Sequence, residues 1–219
     1  MRTIRTIVRS GLALLALACL AAPSHAQGIR ARQNIEYRLI APQPVETGGR
    51  IEVIDFFWYG CPYCNELQPA LEGWIKRKPA DVALRRVPAI LRDSWAPHAR
   101  IFYTLEQLGE VERLHLKVYE GYHVDLLHMS RPEVVVEWAA RNGIDPKRWL
   151  HTYHSPEVDA KVKRAREITA AYAVDVTPTL VVDGRYLTSG RYVSGTDVRE
   201  VIPILEDLVL LARQRRSDR

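Results

Sequence analysis

The sequence feature that most constrains the fold is a buried strand that leads directly into a helix. Residues 51–58 are almost continuously apolar, which is typical of a strand covered on both faces, and Gly60 ends the run. Residues 62–77 carry apolar side chains at helical spacing, with Pro62 at the first helical position, where proline is tolerated. A second strand is predicted over 82–87. This order predicts a parallel strand pair with a right-handed crossover.

The rest of the chain predicts a helical middle, a hairpin and a closing helix. Periodicity and Asp-Pro or Ser-Pro starts predict helices over 97–108 and 131–142, and from Asp145-Pro146 and Ser155-Pro156. Asp183-Gly184 is a two-residue hairpin signal between two short apolar strands. A further extended piece over 37–40 is a candidate edge strand, and the last helix carries its apolar stripe over 198–209.

The first 26 residues have the three parts of a secretory signal peptide. Three arginines precede an apolar, uncharged run over 11–22, and the small residues at 24 and 26 suit cleavage before Gln27. The apolar run is too short to span a bilayer. A lipoprotein signal built on Cys19 is a poorer match to the residues before it. The sequence therefore predicts export to a compartment where disulfides form.

Composition and charge exclude several classes of protein. The chain is 47% hydrophobic and 26% charged, which is ordinary for a globular protein and excludes a disordered or multi-span membrane chain. Loss of residues 1–26 removes three arginines and no acid, so the formal net charge falls from +5 to +2. A nearly neutral chain gives no case for nucleic-acid binding. The basic cluster over 213–219 is expected to be a solvated, frayed helix end.

Only two cysteines remain after removal of the signal, Cys61 and Cys64, in a C-x-x-C spacing. A bridge that closes so short a loop gives little chain entropy, so its presence in an oxidising compartment indicates chemistry. Cys61 lies at a predicted helix N-terminus, where free N–H groups and the macrodipole favour a thiolate. Cys64, one turn further in, should be more buried. We therefore predict Cys61 as the attacking and attacked sulfur and Cys64 as the resolving thiol.

The cysteine pair has two other interpretations, a zinc half-site and an inert structural bridge. Zinc usually takes four ligands, and the sequence has no second cysteine pair. His151 and His154 have an i, i+3 spacing but are expected on a solvated helix face. Redox chemistry is favoured over both alternatives.

Two stretches and the export signal together resemble the DsbA family of bacterial periplasmic thiol:disulfide interchange proteins. They are residues 56–64, F-F-W-Y-G-C-P-Y-C, and residues 176–179, V-T-P-T. The resemblance covers essentially the whole mature chain and implies an α/β fold, a thioredoxin fold with an inserted helical domain. The chain uses 114 residues from Cys64 to Pro178, where a minimal thioredoxin path needs roughly 45. The expected division is 1–26 signal peptide, 27–91 and 156–219 thioredoxin-like domain, and 92–155 inserted helical domain.

The resemblance also implies an activity, partners and site residues. It implies a dithiol oxidase that donates the Cys61–Cys64 disulfide to newly exported proteins, with no metal or organic cofactor. Its partners would be reduced or unfolded exported proteins and a quinone-linked membrane re-oxidase of DsbB type, and the protein is expected to be a monomer. The family implies a cis bond between Thr177 and Pro178, with this loop beside the sulfurs and able to bind an extended substrate peptide.

Asp55 is an acid within the apolar central strand, six residues before Cys61. Thioredoxin-like proteins carry a buried acid at this offset, where it can exchange protons with the buried thiol. A buried carboxylate without a partner is costly and has a raised pKa. The alternative is that Asp55 merely pairs with a cation such as Arg85 or Arg86.

The dipeptide between the cysteines departs from the family pattern. DsbA proteins usually carry Pro-His there, whereas this chain has Pro62-Tyr63, the dipeptide typical of glutaredoxins. Tyrosine cannot stabilise the thiolate through a positive charge, so the strength of the oxidant stays open. A disulfide reductase or isomerase and a non-catalytic peptide-binding chaperone are the alternative functions. The 34 residues between Gln27 and Cys61 are too few for the N-terminal dimerisation domain of DsbC-type isomerases.

Overall fold

The computed structural model describes residues 30–192 and 197–218 of the chain. The predicted signal peptide over 1–26, with Cys19, lies outside the described residues. Within the described part, none of the helices has the length and apolar character needed to cross a membrane.

Among the described residues, a five-stranded mixed sheet forms the centre of the fold, in the order β1-β5-β4-β2-β3. Strand β2 pairs in parallel with β3, as the strand–helix–strand order predicts, and antiparallel with β4. All seven residues of β2 are buried, which explains its nearly continuous apolar sequence. The strands are β1 Arg38–Leu39, β2 Ile51–Phe57, β3 Val82–Pro88, β4 Thr179–Val182 and β5 Tyr186–Ser189.

The part of the chain that the structure describes has seven α-helices, which cover the sheet. Side-chain caps define two starts as predicted, because Asp145 accepts a hydrogen bond from the Arg148 N–H at 2.8 Å and Ser155 accepts one from the Val158 N–H at 3.2 Å. The helices are α1 Pro62–Arg77, α2 Ala96–Leu108, α3 Val111–His123, α4 Pro132–Arg141, α5 Pro146–Tyr153, α6 Pro156–Ala171 and α7 Val201–Ser217. Short 3₁₀ turns, Asp93–Trp95 and Val198–Glu200, precede α2 and α7.

The two faces of the sheet carry different helices. Ile54 and Phe56 of β2 belong to the apolar cluster that includes α2 to α6, whereas Ile51 and Val53 belong to the cluster formed with α1 and α7. The four helices α2 to α5 lie within the predicted insert over 92–155. The exact domain boundaries stay a prediction. Both cysteines belong to the cluster that includes α2 to α6, although helix α1, which carries Cys64, otherwise contributes to the second cluster.

The hairpin and the C-terminal cluster illustrate one correct and one wrong prediction. Asp183 and Gly184 both have left-handed φ, at 53° and 63°, as a type I′ turn requires. The expectation of a frayed, solvated C-terminal end is wrong for two of its arginines. Arg213 donates to Asp81 at 2.9 Å, and Arg216 donates to the buried carboxylate of Asp183. These ion pairs hold the last turns of α7 against the sheet.

Candidate active site

A tight turn carries the chain from β2 into α1 and presents the first cysteine. The N–H of Cys61 donates to the carbonyl of Trp58 at 3.0 Å and closes the turn. A methyl group at Gly60 would lie 2.3 Å from the Trp58 ring, so only glycine fits there. Cys61 becomes the N-cap of α1, with extended backbone angles, and Pro62 is the first helical residue.

Hydrogen bonds at the helix start favour the thiolate of Cys61. Its Sγ accepts from the N–H of Cys64 at 3.4 Å, a bond that stabilises the thiolate, whereas the protonated thiol donates to the carbonyl of Thr177 at 3.3 Å. The hydrogen bond with the side chain of Cys64 is the largest influence and lowers the pKa of Cys61 to about 6, although burial acts in the opposite direction. The backbone N–H of Cys64 lowers this pKa further. This position and direction agree with the sequence analysis, and the catalytic role of Cys61 stays a prediction.

Cys64 has the opposite environment one turn further along α1. Its side chain is fully buried, and this burial raises its pKa well above the ordinary value of a thiol. The hydrogen bond to Cys61 and the charge of Asp55 raise it further. The two sulfurs therefore differ in both acidity and access, and this asymmetry is what a two-step exchange reaction needs.

Asp55 is a buried acid whose carboxylate is unpaired within the part of the chain that the structure describes. It is fully inaccessible, and neither carboxylate oxygen has a hydrogen-bond partner within the described residues. Burial raises its pKa to about 7, and the positive charge of Arg86 offsets only part of this effect. In the described residues Asp55 forms no ion pair with Arg85 or Arg86, because Arg85 donates to Glu52 and Arg86 donates to Glu72.

The loop before β4 packs directly on the sulfur of Cys61. The peptide bond between Thr177 and Pro178 is cis, as the family resemblance implies. The hydroxyl of Thr179 donates to the Val176 carbonyl and that of Ser189 donates to the Pro178 carbonyl, both at 2.7 Å. These bonds hold the loop so that the Thr177 carbonyl faces the Cys61 sulfur.

A groove of about 510 Å³ opens beside Cys61. Two tryptophans line this groove, Trp58 and Trp95, and their rings stack in parallel with centroids 4.1 Å apart. Sequence analysis did not single out either ring, and no sequence spacing links the two. The groove is lined by Trp58, Cys61, Pro62, Leu91, Arg92, Trp95, Asp175, Val176 and Thr177. Tyr63, two residues after Cys61, is 59% exposed.

Three histidines lie behind the turn, and sequence analysis did not assign them to the site. Nδ1 of His115 lies 2.9 Å from the hydroxyl oxygen of Tyr59, and Nε2 of His123 lies 2.8 Å from the backbone oxygen of the same tyrosine. His98 stacks on Trp58, and burial lowers its pKa to about 4. His115 and His123 escaped notice because helix α3, which carries both, was not predicted as a separate element.

The zinc interpretation finds no support in the geometry. Across residues 30–192 and 197–218 no group of three or more His, Cys, Asp or Glu side chains could hold a metal ion. His151 lies exposed on α5, and His154 lies exposed at the end of that helix.

Comparison with known proteins agrees with this geometry. The family model of the DSBA-like thioredoxin domain matches residues 52–200, which is more than half of the chain. The chain belongs to the DsbA family.

Curated relatives and a solved structure extend this result. A thiol:disulfide interchange protein DsbA of Burkholderia cepacia is 35% identical over 153 residues, covering 69% of this chain and 72% of that protein. The DsbA of Bordetella parapertussis is 33% identical over 209 residues, covering 95% and 97%. The crystal structure of Pseudomonas aeruginosa DsbA matches with a TM-score of 0.80 and 31% identity, covering 85% and 97%. The predicted thioredoxin fold with a helical insertion is confirmed, and this DsbA-family chain is a thiol:disulfide oxidoreductase.

Proposed function

We propose that this protein is a dithiol oxidase that transfers the Cys61–Cys64 disulfide to thiol pairs of exported proteins. The observation that carries the proposal is the asymmetry of the two sulfurs. The pKa of Cys61 is lowered to about 6 at the helix N-cap, whereas Cys64 is buried with a raised pKa. A stabilised Cys61 thiolate favours the reduced form of the pair, which makes the disulfide an oxidant.

In the first step a substrate thiolate attacks the sulfur of Cys61. A new bond forms between the substrate sulfur and Cys61, the Cys61–Cys64 bond breaks, and Cys64 leaves with the electron pair. Attack at Cys61 is supported by its position on the groove, because fully buried Cys64 offers no approach. Cys64 then takes up a proton, since its raised pKa disfavours a buried thiolate.

In the second step another thiolate of the substrate attacks the substrate sulfur of the mixed disulfide. The substrate disulfide forms and Cys61 leaves as a thiolate, so two electrons have passed to the enzyme. A thiol of low pKa is the better leaving group. The same lowered pKa of Cys61 therefore helps both release of product and the direction of the equilibrium.

Asp55 is proposed to carry the proton that Cys64 gains and later loses. A group with a pKa near 7 can both accept and release protons at neutral pH. The charge of Asp55 acts on the pKa of Cys64, which supports their proximity. Because neither oxygen of Asp55 has a partner in the described residues, no ion pair competes for the proton.

The substrate is proposed to lie as an extended chain against Thr177 and Pro178. Their loop is fixed beside Cys61, which supports backbone pairing at this position. The side chain next to the substrate cysteine would then enter the groove with the Trp58–Trp95 pair, whose flat apolar rings suit aromatic or aliphatic groups.

Location and re-oxidation complete the proposal. We place the mature protein in the periplasm after cleavage near Gln27, and we propose a quinone-linked membrane re-oxidase of DsbB type as the partner that restores the disulfide. The sulfur pair alone stores and releases two electrons, so we propose that no metal or organic cofactor takes part.

Alkylation and trapping test the assignment of roles. Reduced protein treated with iodoacetamide near pH 5 should be labelled at Cys61, and Cys64 should react only after unfolding. Cys64→Ser should trap a mixed disulfide with a reduced substrate protein through Cys61, and Cys61→Ser should not. Labelling of Cys64 first would overturn the roles. An equilibrium with glutathione as reducing as that of thioredoxin would favour the reductase alternative.

A further inference from the structure

Two histidines of helix α3 contact Tyr59, which belongs to the turn Trp58–Cys61. One contacts the hydroxyl of the tyrosine and the other contacts its backbone oxygen. The hydroxyl of Tyr59 lies 2.9 Å from Nδ1 of His115, near the start of the helix, and the backbone oxygen of Tyr59 lies 2.8 Å from Nε2 of His123, at its last residue. Tyr59 and His115 are buried. The helical layer therefore fixes both the ring and the backbone of a residue two positions before Cys61.

The sequence of the turn allows two backbone forms. In a four-residue turn the peptide between the second and third residues can face either way, and the second form needs a left-handed third residue, which glycine adopts readily. Here those two residues are Tyr59 and Gly60. The φ of Gly60 lies outside the left-handed region, so the turn has the first form. Glycine by itself does not select this form.

The hydrogen bond from His123 supplies the selection. A carbonyl oxygen can only accept, so Nε2 of His123 carries the proton and donates to the Tyr59 oxygen. Both the neutral Nε2–H ring and the doubly protonated ring can donate. Reversal of the peptide would turn the oxygen away from His123 and lose this bond. The ring of His123 is itself held by stacking on Tyr119.

We propose that His123 is a positioning residue that holds the Tyr59–Gly60 peptide in one orientation and thereby fixes Cys61 at the N-cap of α1, with His115 anchoring the tyrosine ring. The inference rests on the proposed role of Cys61 as the reactive thiol. The sulfur accepts from the Cys64 N–H at 3.4 Å, a contact that depends on how the turn delivers Cys61 to the helix. A peptide also carries a dipole of about 3.5 D, and its direction near the sulfur would otherwise fluctuate.

Three variants of the full mature chain separate donation from packing. His123→Phe keeps a ring to stack on Tyr119 but removes the N–H, whereas His123→Gln replaces the ring and offers an amide N–H in a similar place. His151→Phe, at an exposed position of α5, is the matched control. The readouts are the Cys61 pKa, from the ultraviolet absorbance of the thiolate, and the equilibrium with glutathione.

His123→Phe should raise the pKa of Cys61 by about half a unit and shift the glutathione equilibrium about threefold toward the disulfide form, because one pKa unit corresponds to a tenfold change. His123→Gln should recover most of both values, and His151→Phe should match the wild type. Unchanged values in folded His123→Phe would overturn the proposal. A glutamine variant that behaves like the phenylalanine variant would also overturn it, since the ring and not the donor would then matter.

A measurement on the wild type keeps the proposal testable if the variants fold poorly. Proton–nitrogen correlation spectra should show His123 with a proton on Nε2. A neutral ring with its only proton on Nδ1 would overturn the proposal. These readouts concern the thiol and the turn alone, so they stand apart from substrate trapping, which tests the proposed function.

Discussion

The two acids buried in strand β2, three residues apart, have opposite surroundings. Glu52, near the start of the strand, accepts hydrogen bonds from Nε of Arg85 at 3.2 Å, from its Nη2 at 3.3 Å and from the N–H of Glu46 at 3.1 Å. Asp55, toward the cysteine end, is equally buried, and neither of its oxygens has a hydrogen-bond partner in the described residues.

The comparison teaches that burial alone does not define the role of an acid. The cation opposite Asp55 in the strand register is Arg86, but its side chain donates to Glu72 instead. Glu52 therefore remains a paired, structural carboxylate, whereas the pKa of Asp55 is raised to about 7 by burial. An unpaired acid costs stability, and in this strand it lies at the end nearest the cysteine pair.

The largest expected effect is on the pH dependence of stability. In the unfolded chain Asp55 loses its proton near pKa 3.8, but in the folded protein it keeps the proton up to about pH 7. The free energy of unfolding therefore falls as pH rises through this window, by about 1.4 kcal/mol per pH unit. Asp55→Asn removes this loss, so its advantage over wild type should grow from near zero at pH 4 to roughly 4 kcal/mol above pH 7.

Denaturant unfolding of the oxidised proteins measures this difference, because oxidised Cys61 does not titrate. Burial lowers the pKa of His98 to about 4 and that of His115 well below its ordinary value, so both cost stability as pH falls. That effect is common to the two proteins and cancels in the difference. Parallel stability curves for wild type and variant would contradict the comparison.

Glu52→Gln should have the opposite sign. The change leaves the guanidinium of Arg85 without its buried carboxylate, and stability should fall by about 2 to 3 kcal/mol at pH 7. Arg85 retains a contact with Glu46 at 3.4 Å, which limits the loss. Denaturant unfolding measures the stability, and the glutathione equilibrium should stay that of the wild type. A Glu52 variant that is stabilised like Asp55→Asn would remove the distinction between the two ends of the strand.

The protein with reduced Cys61 and Cys64 should be more stable than the protein with the disulfide. The pKa of Cys61 is about 6 in the folded protein against an ordinary 9.0, so its thiolate stabilises the fold above pH 9 in full and the effect is lost as pH falls through 6. At pH 7 this amounts to about 1.4 kcal/mol. The short disulfide loop gives little entropy in return. Thermal unfolding of both redox forms between pH 5 and 8 tests the order, and a more stable oxidised form would favour the reductase alternative.

The smallest effect is expected at Tyr63. Tyr63→His places a ring that can donate or carry charge near the Cys61 thiolate and should make the protein more oxidising, by about threefold in the glutathione equilibrium. Since the side chain of Tyr63 is largely exposed, the free energy of unfolding should not change. An unchanged or more reducing equilibrium would contradict the expectation that histidine at this position strengthens the oxidant.

Local patterns predicted the elements around the site closely. Helix α1 spans residues 62–77 as predicted, and the paired strands β2 and β3 end within one residue of their predicted ends. These elements depend on short-range signals, such as continuous apolarity, a first-turn proline and periodicity. Helix α3 was not predicted because its buried face includes polar His115 and a glycine, Gly121, which weaken the periodic signal.

Contacts between distant residues were the part that sequence could not supply. Arg213 and Arg216 of the C-terminal cluster form ion pairs with Asp81 and Asp183, respectively. Each partner is more than thirty residues away in the chain. Trp58 stacks on Trp95 only because the 3₁₀ turn before α2 returns to the end of β2. Each of these partners is set by how whole elements pack, which no local pattern encodes.

The sequence by itself determined the position of Cys61, because a cysteine between a buried strand and a first-turn proline becomes the N-cap of the helix, where free N–H groups favour a thiolate. Only the tertiary structure decided which acid stays unpaired and which side chains hold the turn. Apolar patterning specifies that Glu52 and Asp55 are buried, but the direction of Arg85 and Arg86 follows from packing around the sheet. Likewise, His123 reaches the Tyr59 carbonyl across 64 residues of sequence only once α3 has packed behind the turn.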